Sequence, residues 1–311
     1  MERTKKNNQN IYSIEGVSAI LCGDIHLRED VPICRTDDFW ATQWKKIDFI
    51  SDLQKQCNCP VLCSGDLFDY WKPSPNLLSM ASEHLPDQFY SIYGQHDLPQ
   101  HSMELNYKSG LYNLWKNGKV TILDGNCTND SDYPFLVEGC SFGAIPSKEG
   151  IKRAAVNILV WHKMFYQGKL PWPGCTDPLG AGLLRKYPQY SLICTGDNHK
   201  PFVEEYQGRI LVNVGSMMRT TADQTDFRPR VWLWYAETNT VVPVYLPIEE
   251  GVISREHLEV QEQRENRIDA FISRLNTDWK ASLSFEENLE IFKAENQVRK
   301  SVMDILYKSL E

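Results

Sequence analysis

The sequence predicts an α/β domain with a mostly parallel β-sheet, followed by a helical C-terminal segment. Two apolar runs, at residues 17–22 and 61–63, are typical of buried strands and flank an amphipathic helical pattern, which is the strand–helix–strand order of a parallel sheet. Five apolar runs end in loops that carry a carboxylate or an imidazole. Strand-like patterns stop after Pro247. We therefore predict one domain over residues 1–250 and a separate segment over residues 251–311.

The first helix is predicted over residues 39–57. Thr36, Asp37 and Asp38 favour a helix start, apolar residues then recur at helical spacing, and Pro60 lies just beyond the predicted end. Two further helices are predicted at 75–84 and 111–115. Strands are predicted at 88–93, 120–123, 156–161, 190–195, 209–214, 231–235 and 241–246. Residues 135–145 indicate two short strands or one bulged strand, and the proline- and glycine-rich residues 168–182 a loop beside the site.

Two amphipathic helices are predicted in the C-terminal segment. The first spans residues 255–275 and has an apolar face of Ile268, Phe271, Ile272 and Leu275. The second starts with a capping-box pattern at Ser284 and carries an apolar stripe of Val298, Val302, Ile305 and Leu306. Helices of this kind either pack on the parent domain or dock a partner protein, and the sequence leaves both interpretations open.

The composition excludes several classes of protein. With 311 residues, 42% of them hydrophobic and 24% charged, the chain is an ordinary globular sequence. Its net charge of -8 argues against a basic protein that coats nucleic acid, but not against a nuclease, because bound divalent cations supply positive charge where phosphate must lie. Nine scattered cysteines predict reduced thiols rather than a disulfide framework. We expect an intracellular protein, since the N-terminus resembles no signal peptide and no apolar run is long enough for a membrane span.

The five loops share metal-binding chemistry at the ends of predicted strands. They contain, in order, Asp24 and His26; Asp66 and Asp69; Gln95, His96 and Asp97; His162; and Asp197 and His199. Ligands collect at the carboxyl ends of strands in open α/β sheets, and carboxylates, imidazoles and amides together suit Mn²⁺, Fe²⁺ or Zn²⁺. Two such ions can clamp a phosphoryl group and generate a hydroxide nucleophile. We therefore predict one metal site, with Asp66 as the bridging ligand.

The order and spacing of these residues resemble the calcineurin-like metallophosphoesterases, whose pattern is D-x-H, G-D-x-x-D, G-N-H-D/E, a lone H, and G-H-x-H. The resemblance covers about residues 17–246 and implies a four-layer α/β/β/α sandwich with two mixed β-sheets. It implies a first ion held by Asp24, His26, Asp66 and His199, and a second held by Asp66, Gln95, His162 and Asp197. It also implies that His96 is the general acid, that Asp97 hydrogen-bonds His96 and fixes its tautomer, and that Asp69 supports the loop.

Two residues depart from the family's pattern, and both fall on the second ion. Gln95 replaces the usual Asn and lengthens the amide arm by one methylene. Asp197 replaces the first His of G-H-x-H, and the added negative charge favours a harder ion. The favoured cofactor is therefore two Mn²⁺ ions, with Fe²⁺, Mg²⁺ or Zn²⁺ as alternatives.

Within that family the chain looks most like the SbcD-type DNA repair nucleases, especially their shorter phage-like forms. Residues 94–99 resemble their third motif, and the segment from Asn213 to Arg219 resembles their N-P-G-S-x-x-R segment. The likeness implies a DNA substrate, exo- or endonucleolytic hydrolysis by a two-metal-activated hydroxide, and a role in DNA repair, recombination or replication in the cytoplasm of a bacterium or infected host cell. It further implies a homodimer and an SbcC-type coiled-coil ATPase that docks on the C-terminal helices.

Two other functions stay open at this stage. One is a phosphoesterase that acts on nucleotides or other small phosphate esters, and the other is a weakly active scaffold on a decayed fold, which Gln95 and Asp197 motivate. Arg219 fits either a phosphate contact or packing beneath the Gly215 turn. Tyr107, Tyr166 and Trp172, on loops at the predicted rim, fit either base stacking or, as the favoured alternative, an ordinary core or surface role.

Overall fold

The chain divides into two compact units, Met1–Arg255 and Glu256–Glu311. The computed structural model describes residues 4–7, 10–123, 133–147, 156–170, 172–276, 285–296, 298–302 and 304. The strands are β1 (Thr4–Asn7), β2 (Asn10–Ser13), β3 (Ala19–Cys22), β4 (Val61–Cys63), β5 (Phe89–Ser91), β6 (Thr121–Ile122), β7 (Leu136–Cys140), β8 (Asn157–His162), β9 (Leu192–Gly196), β10 (Phe202–Tyr206), β11 (Arg209–Asn213), β12 (Arg230–Tyr235) and β13 (Thr240–Tyr245). The helices are α1 (Phe39–Cys57), α2 (Pro75–His84), α3 (Gly110–Lys116), α4 (Gly180–Lys186), α5 (Glu256–Asn276) and α6 (Phe285–Glu295).

The first unit contains two mixed β-sheets and a short N-terminal hairpin. The six-stranded sheet has the order β13-β12-β3-β4-β5-β6, in which β3 to β6 run parallel and β12 and β13 antiparallel to their neighbours. The five-stranded sheet has the order β10-β11-β9-β8-β7, with only β10 antiparallel. The predicted α/β class with two mixed sheets is confirmed.

Alternation of side chains along the strands places the two sheets face to face. Ala19 and Leu21 of β3 share an apolar cluster with residues of the five-stranded sheet, whereas Ile20 faces the opposite side and packs with α1, α2 and α3. On the other sheet, Leu159 and Trp161 of β8 pack with α4. Because successive side chains of a strand point to opposite faces, this division gives the predicted order of layers, helices, sheet, sheet and helix.

Local sequence signals set the helix ends as predicted. The Asp38 carboxylate accepts a hydrogen bond from Ala41 N at 3.0 Å and caps α1, which ends at Asn58 in the left-handed region with φ of 48°. Ser74 caps α2 by accepting from Leu77 N at 3.1 Å, and Pro75 occupies the first turn, where no N–H is needed.

Some elements differ from the prediction. Residues 135–145 contain one short strand, β7, which ends at Cys140. α4 begins within the predicted loop 168–182, and the β1–β2 hairpin and β10 were not predicted. β10 is an edge strand with exposed polar positions, so its sequence lacks the apolar run of a buried strand. The signal that could have found it is the Gln207-Gly208 turn, because both residues have positive φ, of 51° and 73°, as in a two-residue hairpin.

The second unit has the two predicted helices, with one difference. α6 ends at Glu295 instead of continuing through the stripe predicted up to residue 306. Leu258, Val260 and Ile268 of α5 are exposed. Ser284, Ile305 and Leu306 lie outside the described residues, as do the side chains of Phe271, Ile272 and Leu275. In the part of the chain that the structure describes, no helix combines the length and the apolar character that crossing a bilayer requires.

Candidate metal centre

The predicted site residues meet where strands of the two sheets end. β3, β4 and β5 of the six-stranded sheet lead into the loops of Asp24, Asp66 and His96. β8 of the five-stranded sheet ends at His162, and β9 leads into the loop of His199. Parallel strands bring their carboxyl ends to one edge, so residues far apart in sequence become neighbours here.

Asp66 is the centre of the arrangement. Its side chain is buried, and its Oδ1 accepts a hydrogen bond from His96 N at 2.9 Å. Its Oδ2 has no hydrogen-bond partner among the described residues, but lies 3.4 Å from His162 Nε2 and 3.7 Å from His26 Nε2. A buried carboxylate oxygen without a partner is costly, and a cation held with neighbouring imidazoles would satisfy it. Asp66 therefore has the surroundings expected of a metal ligand.

Asp24, His26 and His199 form one group of candidate ligands. One ligand atom from each lies within 4.8 Å of the others. The Nε2 atoms of His26 and His199 are 3.2 Å apart, so at most one of them can carry a proton that the other accepts. A carboxylate with two imidazoles is a donor set that fits a transition-metal ion.

Asp24, Asp66 and His162 form a second group with ligand atoms within 4.8 Å of one another. Asp24 therefore belongs to both groups, although the sequence assigned it to the first ion alone. The His162 Nδ1 lies 2.6 Å from the Ser64 carbonyl, which must accept its proton and leaves Nε2 to face Asp66. Ser64 was missed by the sequence analysis, because a backbone carbonyl acts here and any residue could supply it.

The two residues that depart from the family's pattern contact each other. Gln95 places Oε1 3.2 Å from His162 Nε2, so its longer arm reaches the second group. Its Nε2 donates to Asp197 Oδ1 at 2.8 Å, and Asp197 N donates to Asp24 Oδ1 at 2.9 Å. Asp197 belongs to none of the groups of candidate ligands in the described residues, of which a third joins His26, Asp69 and His96. Asp197 therefore lies outside the second group and is connected to it by its hydrogen bond with Gln95.

Asp69 positions two imidazoles, as a supporting role requires. Its Oδ1 lies 3.4 Å from His26 Nδ1, and its backbone carbonyl lies 2.8 Å from His96 Nδ1. A carbonyl only accepts, so Nδ1 of His96 carries a proton. The Asp69 carbonyl thereby fixes the tautomer of His96, and it leaves Nε2 to exchange a proton with a substrate.

The predicted hydrogen bond from Asp97 to His96 is wrong. The buried Asp97 carboxylate instead accepts from the backbone N–H groups of Gly94, Leu67 and Phe68 at 3.1, 3.3 and 3.1 Å. These bonds join the loop after β4 to the loop after β5. Asp97 therefore holds the backbone of the centre together, and its carboxylate forms no hydrogen bond with His96 among the described residues.

Asn213 and Arg219 also have structural roles. Asn213 Nδ2 donates to the carbonyls of Asn198 and Lys200 at 2.6 and 2.9 Å, which holds the loop that carries His199. Arg219 is buried, and its guanidinium donates to the carbonyls of Thr225 and Glu249. Of the two roles left open for Arg219, its burial and these two contacts favour packing.

The backbone of the centre is strained at three candidate ligands and at Asp197 beside them. Asp24, His26, Asp66 and Asp197 have positive φ values of 46°, 51°, 53° and 78°. Each such residue costs about 1–3 kcal/mol, and strain of this kind clusters at functional sites. Gly94 is required by close packing, because a Cβ there would lie 2.0 Å from Asp66 Oδ1.

Burial and charge act in opposite directions on the ionisable groups of the centre. Burial would lower the pKa of His162, but the Asp66 carboxylate raises it to about 10. Burial would raise the pKa of Asp66, but His162 holds it below its usual value. These surroundings favour a positive charge beside Asp66, and a bound cation would supply it in place of a proton.

A model of the family described as calcineurin-like phosphoesterase matches residues 18–201. The chain belongs to this family. It is therefore a hydrolase of the type that acts on phosphoester bonds, with a fold that uses a dinuclear metal site, and the two groups described above supply candidate ligands. The family resemblance predicted from the motifs is confirmed, whereas the nearer relation to SbcD-type nucleases stays a prediction.

Solved structures of other proteins resemble the chain only in broad outline. An archaeal phosphodiesterase has 14% identity and a TM-score of 0.39, with 73% of this chain and 99% of that chain covered. The protein TT1561 of Thermus thermophilus has 14% identity and a TM-score of 0.44, with 74% and 99% covered. The Mycobacterium tuberculosis phosphopantetheinyl hydrolase has 11% identity and a TM-score of 0.43, with 73% and 95% covered. No curated protein matches the chain.

Proposed function

We propose that this phosphoesterase is a Mn²⁺-dependent nuclease that hydrolyses phosphodiester bonds in DNA. The observation that carries the proposal is the unpartnered, buried Oδ2 of Asp66 between His26 and His162, directly beside a His96 whose tautomer is fixed. Such a centre has a cation-binding site directly beside a residue that can transfer a proton. The DNA substrate is supported by the likeness of residues 94–99 and 213–219 to segments of SbcD-type nucleases.

Each residue has a separate task in this proposal. Asp24, His26 and His199 would hold one ion, and Asp24, Asp66 and His162, with the Gln95 amide oxygen, the other. When bound, the ions polarise the phosphoryl group and activate water for attack. His96, protonated on both nitrogens, would give the Nε2 proton to the leaving oxygen, because the Asp69 carbonyl already holds Nδ1.

The exposure of the centre is compatible with a long substrate. Asp24, Asp66 and His162 are buried and form its floor, whereas Gln95 and His96 are half-buried. The proton-transfer side of the centre is therefore the side that a phosphodiester chain can approach.

The partner and the cellular location are part of the same proposal. An SbcC-type coiled-coil ATPase would dock on the C-terminal helices in the cytoplasm of a bacterium or infected host cell, and the protein would act as a homodimer. The support is the exposure of Leu258, Val260 and Ile268, which leaves apolar side chains of α5 available to a partner helix. A pull-down of such an ATPase by the full chain and by a chain lacking residues 256–311 tests it. Equal capture by both would remove the C-terminal helices as the docking element.

The activity is tested with Mn²⁺ and two substrates, labelled DNA and an aryl phosphodiester. We expect cleavage of both, abolished by Asp66→Ala and retained by Asp52→Ala, a matched change of an exposed aspartate on α1. Turnover of the aryl ester without DNA cleavage would favour a phosphoesterase of small esters. Inertness toward both substrates would favour a scaffold on a decayed fold.

A further inference from the structure

A surface groove in the first unit, outside the metal centre, combines lysines with aromatic rings. It encloses about 320 Å³ and is lined by Lys72, Pro73, Tyr107, Lys108 and Lys116, with other residues of the same two segments. We name it the lysine groove. All three lysine side chains are exposed, so their amines can reach a ligand.

The two stretches of chain that carry the lysines of the groove contain more positive than negative charge. Residues 70–73 and 103–116 contain these three lysines and a single acidic residue, Glu104, in a chain of net charge -8. Among the described residues, no carboxylate forms a salt bridge with any of the three amines. A concentrated positive patch on an acidic protein indicates an anionic ligand.

Aromatic rings stand beside these amines. Tyr107 is 56% exposed and Trp115 39% exposed. Lys108 Nζ lies 5.5 Å from the Tyr107 ring centre, and Lys116 Nζ lies 4.2 Å from the Trp115 ring centre. An inorganic phosphate would contact the amines but not the exposed rings. An apolar protein partner would contact the rings but leave the amines without a counter-charge. Amines and stacking surfaces together fit a single nucleic-acid strand.

The lysine groove is joined to the metal centre by a short, fixed segment. Lys72 lies three residues after Asp69, a span of at most about 11 Å, and the Asp69 carbonyl holds His96. Gly110 N donates to the Trp71 carbonyl at 2.8 Å, which fastens the start of α3 to this segment. A Cβ at Gly110 would lie 2.3 Å from Pro73 Cγ, so the contact requires glycine.

We propose that the lysine groove binds single-stranded DNA that extends from the phosphodiester held at the metal centre. The amines contact backbone phosphates, and Tyr107 stacks on a base. The proposal rests on the proposed nuclease function and adds the form of DNA that the enzyme holds. It also takes up the base-stacking role that the sequence left open for Tyr107.

The test compares three proteins by fluorescence anisotropy with a short fluorescein-labelled oligothymidylate in EDTA, where no cleavage occurs. They are the wild type, a groove variant (Lys72→Gln, Lys108→Gln and Lys116→Gln), and a control variant (Lys45→Gln, Lys55→Gln and Lys186→Gln) with the same charge change at exposed lysines elsewhere. Each lysine–phosphate contact contributes about 0.7 to the slope of log affinity against log salt, so the groove variant should lose about 2 from that slope. Tyr107→Ala should weaken binding roughly fivefold or more with the slope unchanged.

Turnover of the aryl phosphodiester separates the outcomes. The groove variant should hydrolyse it like the wild type while its DNA cleavage falls, because the metal ligands are untouched. If the wild type cleaves DNA and the groove and control variants bind it equally, the lysine groove is not the DNA site. If the variant alters only the sedimentation of the protein, the groove is an interface between copies. If the wild type turns over the aryl ester but neither binds nor cleaves DNA, the proposed function itself fails.

Discussion

Lys46 should make the free energy of unfolding depend on pH between 7 and 9. The substitution Lys46→Met should remove that dependence. The side chain is 1% exposed, and Nζ donates to the Met217 carbonyl at 2.9 Å. Burial, with Arg35 and Arg219 nearby, lowers the pKa of Lys46 from 10.5 to about 7. Met217 N in turn donates to the Asp24 carbonyl at 3.2 Å, so the amine supports the backbone beneath a candidate ligand.

The direction in which the free energy of unfolding changes with pH follows from how many protons Lys46 binds in the folded and in the unfolded chain. Between pH 7 and 10.5 the unfolded chain keeps the Lys46 proton and the folded chain loses it, so the free energy of unfolding rises with pH. The penalty is fully present below pH 7, where it reaches about 5 kcal/mol for a shift from 10.5 to about 7, and it is lost as the pH approaches 10.5. From pH 7 to pH 9 this group alone should add about 2 kcal/mol of stability.

The measurement is urea unfolding in EDTA at pH 7, 8 and 9, followed by tryptophan fluorescence. Lys46→Met should be the more stable protein at pH 7, because loss of one hydrogen bond costs only about 1–3 kcal/mol, and its advantage should shrink by about 2 kcal/mol by pH 9. The exposed neighbour Lys45→Met is the control and should show no such trend. A difference between Lys46→Met and wild type that stays constant across this range would refute the lowered pKa.

Three further substitutions test the centre. Gly94→Ala places a Cβ 2.0 Å from Asp66 Oδ1, so calorimetry should show weakened Mn²⁺ binding, whereas Gly182→Ala, with open space around it, should not. Asp97→Ala leaves three buried N–H groups without an acceptor, and the free energy of unfolding should fall by about 3 kcal/mol or more, measured by urea titration. His96→Gln should lower DNA cleavage by roughly 10²- to 10⁴-fold with the Mn²⁺ affinity retained, because it removes proton transfer and leaves the two groups that contain Asp24 intact.

The sequence was informative wherever function depends on side chains that follow buried strands. Asp24, Asp66 and His162 each lie at the carboxyl end of an apolar run, so their convergence followed from the topology of parallel strands. The ends of α1 and α2 were predictable because Asp38 and Ser74 act on N–H groups only three residues away. In both cases the physical cause lies within one short stretch of chain or in one rule of sheet geometry.

The sequence was uninformative wherever the partner is backbone from another loop. Asp97 accepts from the backbone N–H groups of Leu67 and Phe68, roughly thirty residues away, and nothing in its neighbourhood in the chain indicates that. The acceptors for His96 and His162 are carbonyls of Asp69 and Ser64, which exist at every position. Roles of this kind become visible only after the loops are placed in space.

Gln95 and Asp197, the two departures from the family's pattern, contact each other and can be explained together. Taken separately, each weakens the second metal group, since one lengthens an amide arm and the other removes an imidazole. In the structure the lengthened arm donates to Asp197 and keeps its oxygen 3.2 Å from His162 Nε2. The pair therefore retains an amide oxygen at the second group while satisfying the carboxylate that replaced histidine, which favours a working centre over a decayed one.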